Sequence, residues 1–396
     1  MTVTDAGQET PDPGAAYLAA HEGYALMRVE DGLPKDAGGT RIVTRYDDVT
    51  FALKNVDNFG GTLGYNPDVP DELQILPSIP EPRHGKVRRV INGVLVPNRL
   101  APVEPFVSEL AANLLEKVIG VGPIDIVPAV VDPIPTEAMA FVFGIPREDA
   151  ARFGQMSDEL LANQFKLSGE GGIGGVHPEF TGYVERLVAS RREMDDPPDD
   201  VVTRLLEADL DGQPLSDMAV RTQMMMLILA GNETTRNLLG NCFHTLARCP
   251  DVFAAIKRDP EVINVVIEES LRVDAPVQML FRTCMKPITM DTTDLVERDS
   301  VQLCLGSANR DAAHYEEPDE FRLDRENPRD HLSFGVGPHV CPGAMLARME
   351  VRVVLEHLAR MAESFTLVPE TTTTYNPVFF ARGVKSLWVE LEPARA

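Results

Sequence analysis

The sequence is short of positive charge. Lys and Arg total 37 against 61 Asp and Glu, which gives a formal net charge of −24. A surface of this sign repels the phosphate backbone of nucleic acids and is well hydrated, so we expect no nucleic acid as a partner. The sequence also contains no uninterrupted apolar run that approaches the length of a membrane span, so we expect no membrane association.

The features of a secreted protein are also missing. The stretch from Met1 to Asp12 is polar and acidic, without the basic and apolar regions of a signal peptide. The five cysteines are scattered and odd in number, which does not suit a disulfide framework, so a cytoplasmic protein is predicted. No Pro- or Ser-rich linker and no internal repeat interrupts the chain. This predicts one domain over residues 1–396, with residues 1–15 disordered.

Glycines and prolines surround Cys341 in the stretch Phe-Gly-Val-Gly-Pro-His-Val-Cys-Pro-Gly. The glycines permit unusual backbone angles and the prolines stiffen the loop. Apolar residues recur at helical spacing from Met345 to Val353, so a helix is expected to follow, with Pro342 at its first position. The loop therefore presents one thiol near a helix N-terminus, where the dipole favours the thiolate, a soft axial ligand for a metal.

Two other interpretations of this loop remain open. A free cysteine is commonly a buried core residue, and a Gly-rich turn before it would be structural. His331 and His339 would also allow a small zinc site. A closed zinc site takes four ligands, however, and no Cys-x-x-Cys pair lies near.

The longest helical segment begins at Ser216 or Asp217 and ends near Cys249-Pro250. It is apolar over much of its girth, which is typical of a buried central helix. Its middle reads Ala-Gly-Asn-Glu-Thr-Thr over residues 230–235, and a glycine, an acid and two threonines weaken a helix locally. The pattern predicts either a simple kink or a functional site in this helix.

Shorter segments are assigned from their periodicity and punctuation. Residues 40–46 and 277–281 are predicted as strands, 47–55 as a short helix, and 82–94 and 260–272 as further helices. The connection 60–80 is a long loop, and such loops are usually functional or disordered. The Gly-rich stretch 168–175 lacks the Lys-Ser/Thr ending of a phosphate-binding loop, so phosphate binding is not expected there.

Taken together, these segments resemble the cytochrome P-450 family of heme-thiolate monooxygenases. Phe334, Gly337, Cys341 and Gly343 stand at the spacing of its heme-binding loop, and His339 is a common bacterial choice. The resemblance extends from about residue 40 to 390, with four ordered motifs. It implies a fold that is mainly α with a small β-rich region at one side.

The resemblance also implies a cofactor, heme b (iron protoporphyrin IX), with Cys341 as the iron ligand. Gly231 would make room for the macrocycle, and Thr234 and Glu233 would manage protons. The loop 60–80 would help to roof the substrate pocket, and 168–175 would be a flexible lid that joins the two helices covering the substrate. The cofactor-binding residues that it implies are His84, Arg88 and Arg282 at the propionates, and Ala230, Gly231, Phe334, His339, Cys341 and Gly343 elsewhere.

Two further sets of residues match the family. The Glu-x-x-Arg signature is a buried structural ion pair, formed here by Glu269 and Arg272 with Arg325 as its third member. The positions at which family substrates touch the protein are Val277, Met279, Leu280, Phe379 and Phe380. These side chains are apolar, so a hydrophobic small molecule is expected, and terpenoids, steroids, fatty acids, aromatics and macrolides all remain open.

The implied reaction inserts one oxygen atom of O₂ into the substrate, as hydroxylation or epoxidation. The sequence has no flavin or iron–sulfur motif, so the electrons of NAD(P)H are expected through a ferredoxin and its reductase. The predicted docking surface for an acidic ferredoxin consists of Lys86, Arg89, Arg348 and Arg352. The alternative function is a heme-thiolate protein that does not hydroxylate, either a ligand-binding module or an isomerase-like enzyme.

Pro342 departs from the residue that usually follows the cysteine in this family. Proline has no N–H, so Cys341 is expected to receive one amide hydrogen bond fewer than in most relatives. The expected consequence is a lower heme reduction potential.

Overall fold

The computed structural model describes residues 13–60, 70–79, 81–162, 178–210, 212–376 and 380–394. The α-helices in chain order are α1 (Pro13–Val29), α2 (Tyr46–Lys54), α3 (Arg83–Val94), α4 (Pro97–Leu100), α5 (Val103–Glu116), α6 (Pro133–Val142), α7 (Ala150–Ala162), α8 (Pro178–Glu193), α9 (Val201–Glu207), α10 (Asp217–Arg248), α11 (Pro250–Arg258), α12 (Val262–Val273), α13 (Leu305–Ala308) and α14 (Ala344–Met361).

The strands are short and fall mostly in the last third of the chain. They are β1 (Arg41–Val43), β2 (Phe59–Gly60), β3 (Ile124–Asp125), β4 (Asp209–Leu210), β5 (Gln213–Pro214), β6 (Leu280–Cys284), β7 (Ile288–Met290), β8 (Thr293–Leu295), β9 (Ser300–Leu303), β10 (Ala362–Leu367), β11 (Thr374–Tyr375), β12 (Val384–Ser386) and β13 (Trp388–Pro393). The predicted fold class, mainly α with a small β-rich region, is confirmed.

The helix α10 is the central element of the fold. Ser216 caps its N-terminus by accepting a hydrogen bond from the Ala219 amide at 3.1 Å, and Pro250 follows its last turn. Its 32 residues extend about 48 Å at the usual rise of an α-helix. The helix is continuous through residues 230–235, so a helix break there is not found. Because it packs against α6, α7, α8, α9, α11, α12 and α14, it organises the main hydrophobic core.

A four-stranded sheet forms the β-rich side of the molecule. Its order is β1-β9-β6-β2, with β1 parallel to β9 and the other neighbours antiparallel. Strands β10, β13 and β3 form a second sheet, and β11 pairs with β12 in a hairpin near the C-terminus. A smaller hydrophobic cluster lies between α2 and the four-stranded sheet, so this side has a core of its own.

Several expected boundaries differ from the structure by a few residues. The strand predicted at 40–46 is β1, which ends at Val43 because α2 already begins at Tyr46. The strand predicted at 277–281 begins later, at Leu280, and Val277 only forms an isolated bridge with Ala381. Residues 13–15 were predicted to be disordered but form the start of α1. Residues 1–12, 61–69, 163–177 and Phe379 lie outside the described residues, so the expectations stated for them stay predictions. No helix among the described residues is both long and apolar enough to cross a membrane.

Glu269 and two arginines form a buried ion pair beneath the β-rich side. Arg272 donates from Nε and Nη2 to both Glu269 oxygens at 2.8 Å, and Arg325 Nε donates to Oε1 at 3.0 Å. Arg272 also donates to the Asn309, Pro318 and Glu320 carbonyls, which ties the long segment before the Cys341 loop to α12. The structure thus contains the ion pair that the sequence predicted, with all three side chains buried.

We predict that Glu269→Gln strongly destabilises the protein. It removes the counter-charge of two buried guanidinium groups, and an uncompensated buried charge costs about 3–5 kcal/mol. The matched control is Glu363→Gln, since Glu363 pairs with Lys257 at 2.6 Å while 54% exposed; a surface pair of this kind contributes less than about 1 kcal/mol. Urea unfolding followed by circular dichroism measures the free energy of unfolding of both variants. An equal decrease in the two variants would refute the prediction.

Candidate active site

The loop that carries Cys341 is fixed by backbone contacts. The Cys341 amide donates to the Phe334 carbonyl at 2.8 Å, which closes the loop on itself. Gly337 has a φ of +82°, and a Cβ there would come within 3.1 Å of the Leu53 carbonyl at the end of α2. Only glycine meets both requirements, so this glycine sets how closely the loop packs on α2.

The Cys341 thiol is not part of the hydrophobic core. The residue is exposed, although its surroundings are dense enough that burial raises the pKa of the thiol. The backbone N–H groups of Gly343 and Ala344 and the charges of Arg88 and Arg348 act in the opposite direction and favour the thiolate. A sulfur that is accessible from one side and has its charge stabilised from behind is suited to bind a metal.

The helix after this loop begins later than the sequence suggested. Its first residue is Ala344 with Gly343 at the N-cap, so the prediction that Pro342 occupies the first helical position was wrong. The amide groups directed at the sulfur belong to Gly343 and Ala344, and Pro342 has none to offer.

Two histidines stack beside the Cys341 loop. The rings of His84, on α3, and His339 have centroids 4.0 Å apart. His84 Nδ1 lies 2.9 Å from Glu81 Oε1, while its Nε2 is buried and makes no hydrogen bond to any described residue. Burial, reinforced by the positive charges of His84 and Arg282, lowers the pKa of His339 to about 3, so His339 is neutral at physiological pH.

Arg88, on α3, contacts the loop that carries Cys341. Its Nε donates to Asn92 Oδ1 at 2.9 Å and its Nη2 donates to the Val340 carbonyl. In this structure Arg88 therefore braces the residue before Cys341, and its contact with a propionate stays a prediction.

Arg282, on β6, carries a buried guanidinium. The residue is 4% exposed, and the one hydrogen bond of its side chain to a described residue goes to the Phe281 carbonyl at 2.8 Å. No carboxylate of the described residues pairs with it, and burial lowers its pKa to about 10. A buried cation of this kind calls for an anionic partner from outside the chain.

One face of α10 is open where the rest of the helix is buried. Ala230 is exposed and Thr234, one turn later, is half-buried, although residues 232, 233 and 235 are buried. Thr234 Oγ1 donates to the Ala230 carbonyl at 2.6 Å. Its lone pairs stay available, so the hydroxyl is an acceptor toward this open face.

Gly231 has a different neighbour from the one expected. A Cβ at Gly231 would come within 2.7 Å of the Met139 sulfur, on α6. The space left by its missing side chain is therefore taken up by Met139, which is a correction of the idea that this space accommodates a macrocycle. The glycine allows α6 to pack closely on α10 at the level of Ala230.

Glu233 is buried and directly precedes Thr234 on α10. Its Oε1 accepts a hydrogen bond from Asn376 Nδ2 at 2.9 Å. Burial raises the pKa of this carboxyl, partly offset by Arg236 and Asn376. The sequence did not identify Asn376, because 143 residues separate the two and no local pattern marks the contact.

The predicted substrate residues among the described ones lie together on the β-rich side. Val277 bridges Ala381, and the Gln278 amide donates to the Phe380 carbonyl at 2.8 Å, so the segment 277–280 lies against the C-terminal hairpin. Met279 is buried, while Val277 and Leu280 are half-buried. None of these side chains carries a charge.

The four residues of the predicted docking surface differ in their ion pairs and in their exposure to solvent. Arg348 is bidentate to Glu268, with bonds of 2.6 and 2.8 Å, and lies 4.4 Å above the Phe334 ring. Arg352 pairs with Glu104 at 2.7 Å and Glu356 at 2.8 Å. Lys86 is half-buried and Arg89 is exposed.

The surroundings of Cys341 fit heme. The thiol can serve as the axial ligand, the orphaned His84 Nε2 and the unpaired Arg282 can receive propionates, and the exposed Ala230 marks space beside the central helix. The zinc alternative fits poorly, because His331 Nε2 lies 2.9 Å from Glu268. In the part of the chain that the structure describes, no group of three His, Cys, Asp or Glu side chains is placed to bind a metal ion.

Comparison with known proteins agrees with this geometry. The cytochrome P-450 family model matches residues 175–377. The steroid C26-monooxygenase of Mycolicibacterium smegmatis is 28% identical over 95% of this chain and 93% of its own. Cytochrome P-450 107B1 of Saccharopolyspora erythraea is 31% identical over 85% of this chain and 86% of its own. The crystal structure of CYP109E1 from Bacillus megaterium in complex with testosterone superposes with a TM-score of 0.83, at 29% identity and with 93% and 98% of the two chains covered.

We predict that Arg282→Met speeds the loss of heme. A hydrogen bond to a charged group contributes about 1.5–3 kcal/mol, so heme should transfer to excess apomyoglobin at least about tenfold faster than from the unaltered protein. Arg258→Met is the matched control, because Arg258 is exposed on α11. Equal transfer rates for the Arg282 variant and the control would show that Arg282 does not hold the cofactor.

Proposed function

Because this chain belongs to the cytochrome P-450 family of monooxygenases, we propose that it hydroxylates or epoxidises a neutral, apolar small molecule with electrons delivered by a ferredoxin. The observation that carries the proposal is the Cys341 thiol, which lies at an exposed position and whose thiolate is favoured by two backbone amides and by the charges of two guanidinium groups. When bound, the cofactor activates O₂. The alternative of a heme-thiolate module that only binds ligands has no observation in its favour.

The cofactor proposed is heme b, held without covalent attachment. Covalent c-type heme needs a Cys-x-x-Cys-His sequence, and the five cysteines do not form one. Cys341 would be the iron ligand, and His84, Arg88 and Arg282 would neutralise the propionates. All five cysteines are free, which supports our proposal of a reducing compartment, the cytoplasm.

Thr234 and Glu233 are proposed to control protons on the central helix. Thr234 gives its own proton to the Ala230 carbonyl, so its oxygen can accept a hydrogen bond from a water molecule and orient it. Glu233 is buried and its pKa is raised above the ordinary carboxyl value, so it holds a proton more readily than an exposed glutamate and can take part in proton transfer. It makes no ion pair with a described residue, which leaves its protonation free to change.

We propose a steroid-sized substrate as the first to test. The names of two similar proteins mention steroids, the C26-monooxygenase and the testosterone complex. The described residues of the predicted substrate surface, Val277, Met279, Leu280 and Phe380, are apolar and offer no charge that would bind an acid or an amine. Burial of apolar area would then supply most of the binding free energy.

Thr234→Ala should uncouple the reaction. Without the hydroxyl that orients a water, protons are delivered at the wrong place and NADH consumption yields hydrogen peroxide. Product formed per NADH should fall at least about tenfold, with testosterone binding unchanged. Product, peroxide and NADH are measured in the system with added ferredoxin and reductase.

The matched control is Thr234→Ser, which keeps the hydroxyl and should stay largely coupled. Cys341→Ser serves as the negative control, since it removes the metal ligand and should form no product. Full coupling in Thr234→Ala would refute the role of the hydroxyl. Absence of a spectral shift with every steroid tested would refute the substrate class.

The proposed docking surface for the ferredoxin lies behind Cys341. Val340 and Met345, on either side of Cys341, are 41% and 54% exposed, which is unusual for large apolar side chains and typical of the centre of an interface. Two of the basic residues, Arg348 and Arg352, lie on the same helix as Met345. Because Arg348 is bound to buried Glu268, reversing its charge would disturb the fold as well as docking.

We therefore predict that Arg89→Glu slows reduction by ferredoxin. Arg89 is exposed, so its reversal acts on electrostatic steering, and the second-order rate should fall about threefold or more at low salt and less at high salt. Lys385→Glu, at an exposed position of β12, is the control for the same change in net charge. Stopped-flow spectroscopy at several ionic strengths measures the second-order rate of reduction by ferredoxin. Equal rates for both variants would place the docking surface elsewhere.

A further inference from the structure

The buried carboxyl of Glu233 is held by a neutral side chain from the far end of the chain. Glu233 is 8% exposed, and Asn376 Nδ2 donates to its Oε1 at 2.9 Å. Asn376 directly follows β11, where the C-terminal hairpin enters the connection between its two strands. The hairpin therefore contributes a polar group to the helix that carries Thr234.

The nearest cation on the same helix is engaged elsewhere. Arg236 Nε lies 3.2 Å from Asp132 and its Nη1 lies 3.0 Å from Asp158, on α7. Two other carboxylates thus share this guanidinium, and the hydrogen bond from Asn376 is the direct contact of the Glu233 carboxyl in the described structure. A buried carboxyl with a neutral partner is less firmly held in its ionised form than one paired with a cation.

The hairpin is fixed tightly on α10. The backbone N–H of Asn376 donates to the Gly383 carbonyl at 2.9 Å across the hairpin. A Cβ at Gly383 would lie 1.9 Å from Asn237 Oδ1, so only glycine allows this approach. Asn241 Nδ2 also donates to the Arg382 carbonyl at 3.1 Å. The backbone of the hairpin therefore fixes the position of Asn376 and directs its side-chain amide at Glu233.

We propose that Asn376 is a positioning residue that holds Glu233 for proton transfer. The proposal rests on the function proposed above, in which Glu233 passes protons toward the water at Thr234. A side-chain amide suits this task in both states of the acid. Its N–H₂ donates to the carboxylate, and after a rotation its carbonyl accepts from the carboxylic acid. An arginine or lysine at this place would hold Glu233 ionised.

The charges that face Glu233 determine the expected pH dependence. Burial raises the pKa of Glu233; Arg236 on the same helix and Asn376 on the hairpin lower it, and Asp158 on α7 raises it. Asp132 acts only through its bond to Arg236. Loss of the Asn376 amide removes a stabilising contact of the carboxylate, so the pKa of Glu233 must rise and the acid must stay protonated to higher pH.

Infrared difference spectroscopy of the holoenzyme measures this directly. The carbonyl band of protonated Glu233 is identified by its absence in Glu233→Gln, and its disappearance is followed as pH is raised. In Asn376→Leu the midpoint should move upward by about one pH unit or more. In Asn376→Asp, which keeps the size of the side chain, a second carboxyl should move it upward as well. Thr374→Ala, at an exposed position of the same hairpin, should leave the midpoint in place.

A second readout links the midpoint to turnover. The ratio of product to NADH is measured against pH, and its midpoint should move upward in Asn376→Leu together with the infrared midpoint. In a Glu233→Gln background, Asn376→Leu should have no further effect on this profile, because the amide acts only through the acid. Independent, additive effects would show that Asn376 has only a structural role.

The outcomes distinguish failure of the proposed role of Asn376 from failure of the proposed role of Glu233. An infrared midpoint that is equal in Asn376→Leu, Asn376→Asp and Thr374→Ala overturns the proposal, even if Glu233→Gln impairs coupling. A shifted infrared midpoint together with full coupling in Glu233→Gln overturns the role of Glu233 in proton transfer, and with it the proposal, although the hydrogen bond is real. Parallel shifts in both readouts support it.

Discussion

A thiolate has to be kept charged inside a protein, and much of this structure serves that requirement. Burial alone would leave Cys341 as a neutral thiol. The loop opposes this with two backbone amides at the start of α14 and with the guanidinium groups of Arg88 and Arg348. Because backbone amides have fixed directions, the angle at which α14 leaves the loop determines how well the sulfur is stabilised. The glycines of the loop and its contact with α2 fix that angle.

The helix α12 connects this requirement to the rest of the fold through two consecutive acids. Glu268 binds Arg348 and His331, on the two sides of the Cys341 loop. Glu269 binds Arg272 and Arg325 and so fixes the segment that leads to the loop. Burial opposes the charge of Glu268, but its hydrogen bonds with His331 and Arg348 lower its pKa to about 2. The charge of Arg348, which favours the thiolate, is therefore itself held in place by a buried carboxylate.

The sequence allowed those parts of the site to be predicted that depend on local constraint. The Cys341 loop, the central helix and the Glu269 ion pair were recognisable because each needs particular residues at fixed spacing. The start of α14 was misplaced by two residues, since Pro342 suits a first helical position but Gly343 provides the cap. The neighbour of Gly231 depends on where α6 crosses α10, and the Asn376 contact depends on where the hairpin lands. Such contacts are set by tertiary packing, which no short pattern encodes.

On α10, the residues that face the open side differ in polarity from those that are proposed to transfer protons. Toward the open face the helix presents Ala230 and the Thr234 hydroxyl, and the predicted substrate residues carry no charge. Glu233 and Arg236 belong to the same helix, and their partners lie on other elements: Asn376 for Glu233, and Asp132 and Asp158 for Arg236. An apolar substrate would thus keep bulk water away from the open face while protons arrive through Glu233. This separation requires an acid that is buried yet free to change its protonation, and a neutral amide beside it meets that requirement better than a cation would.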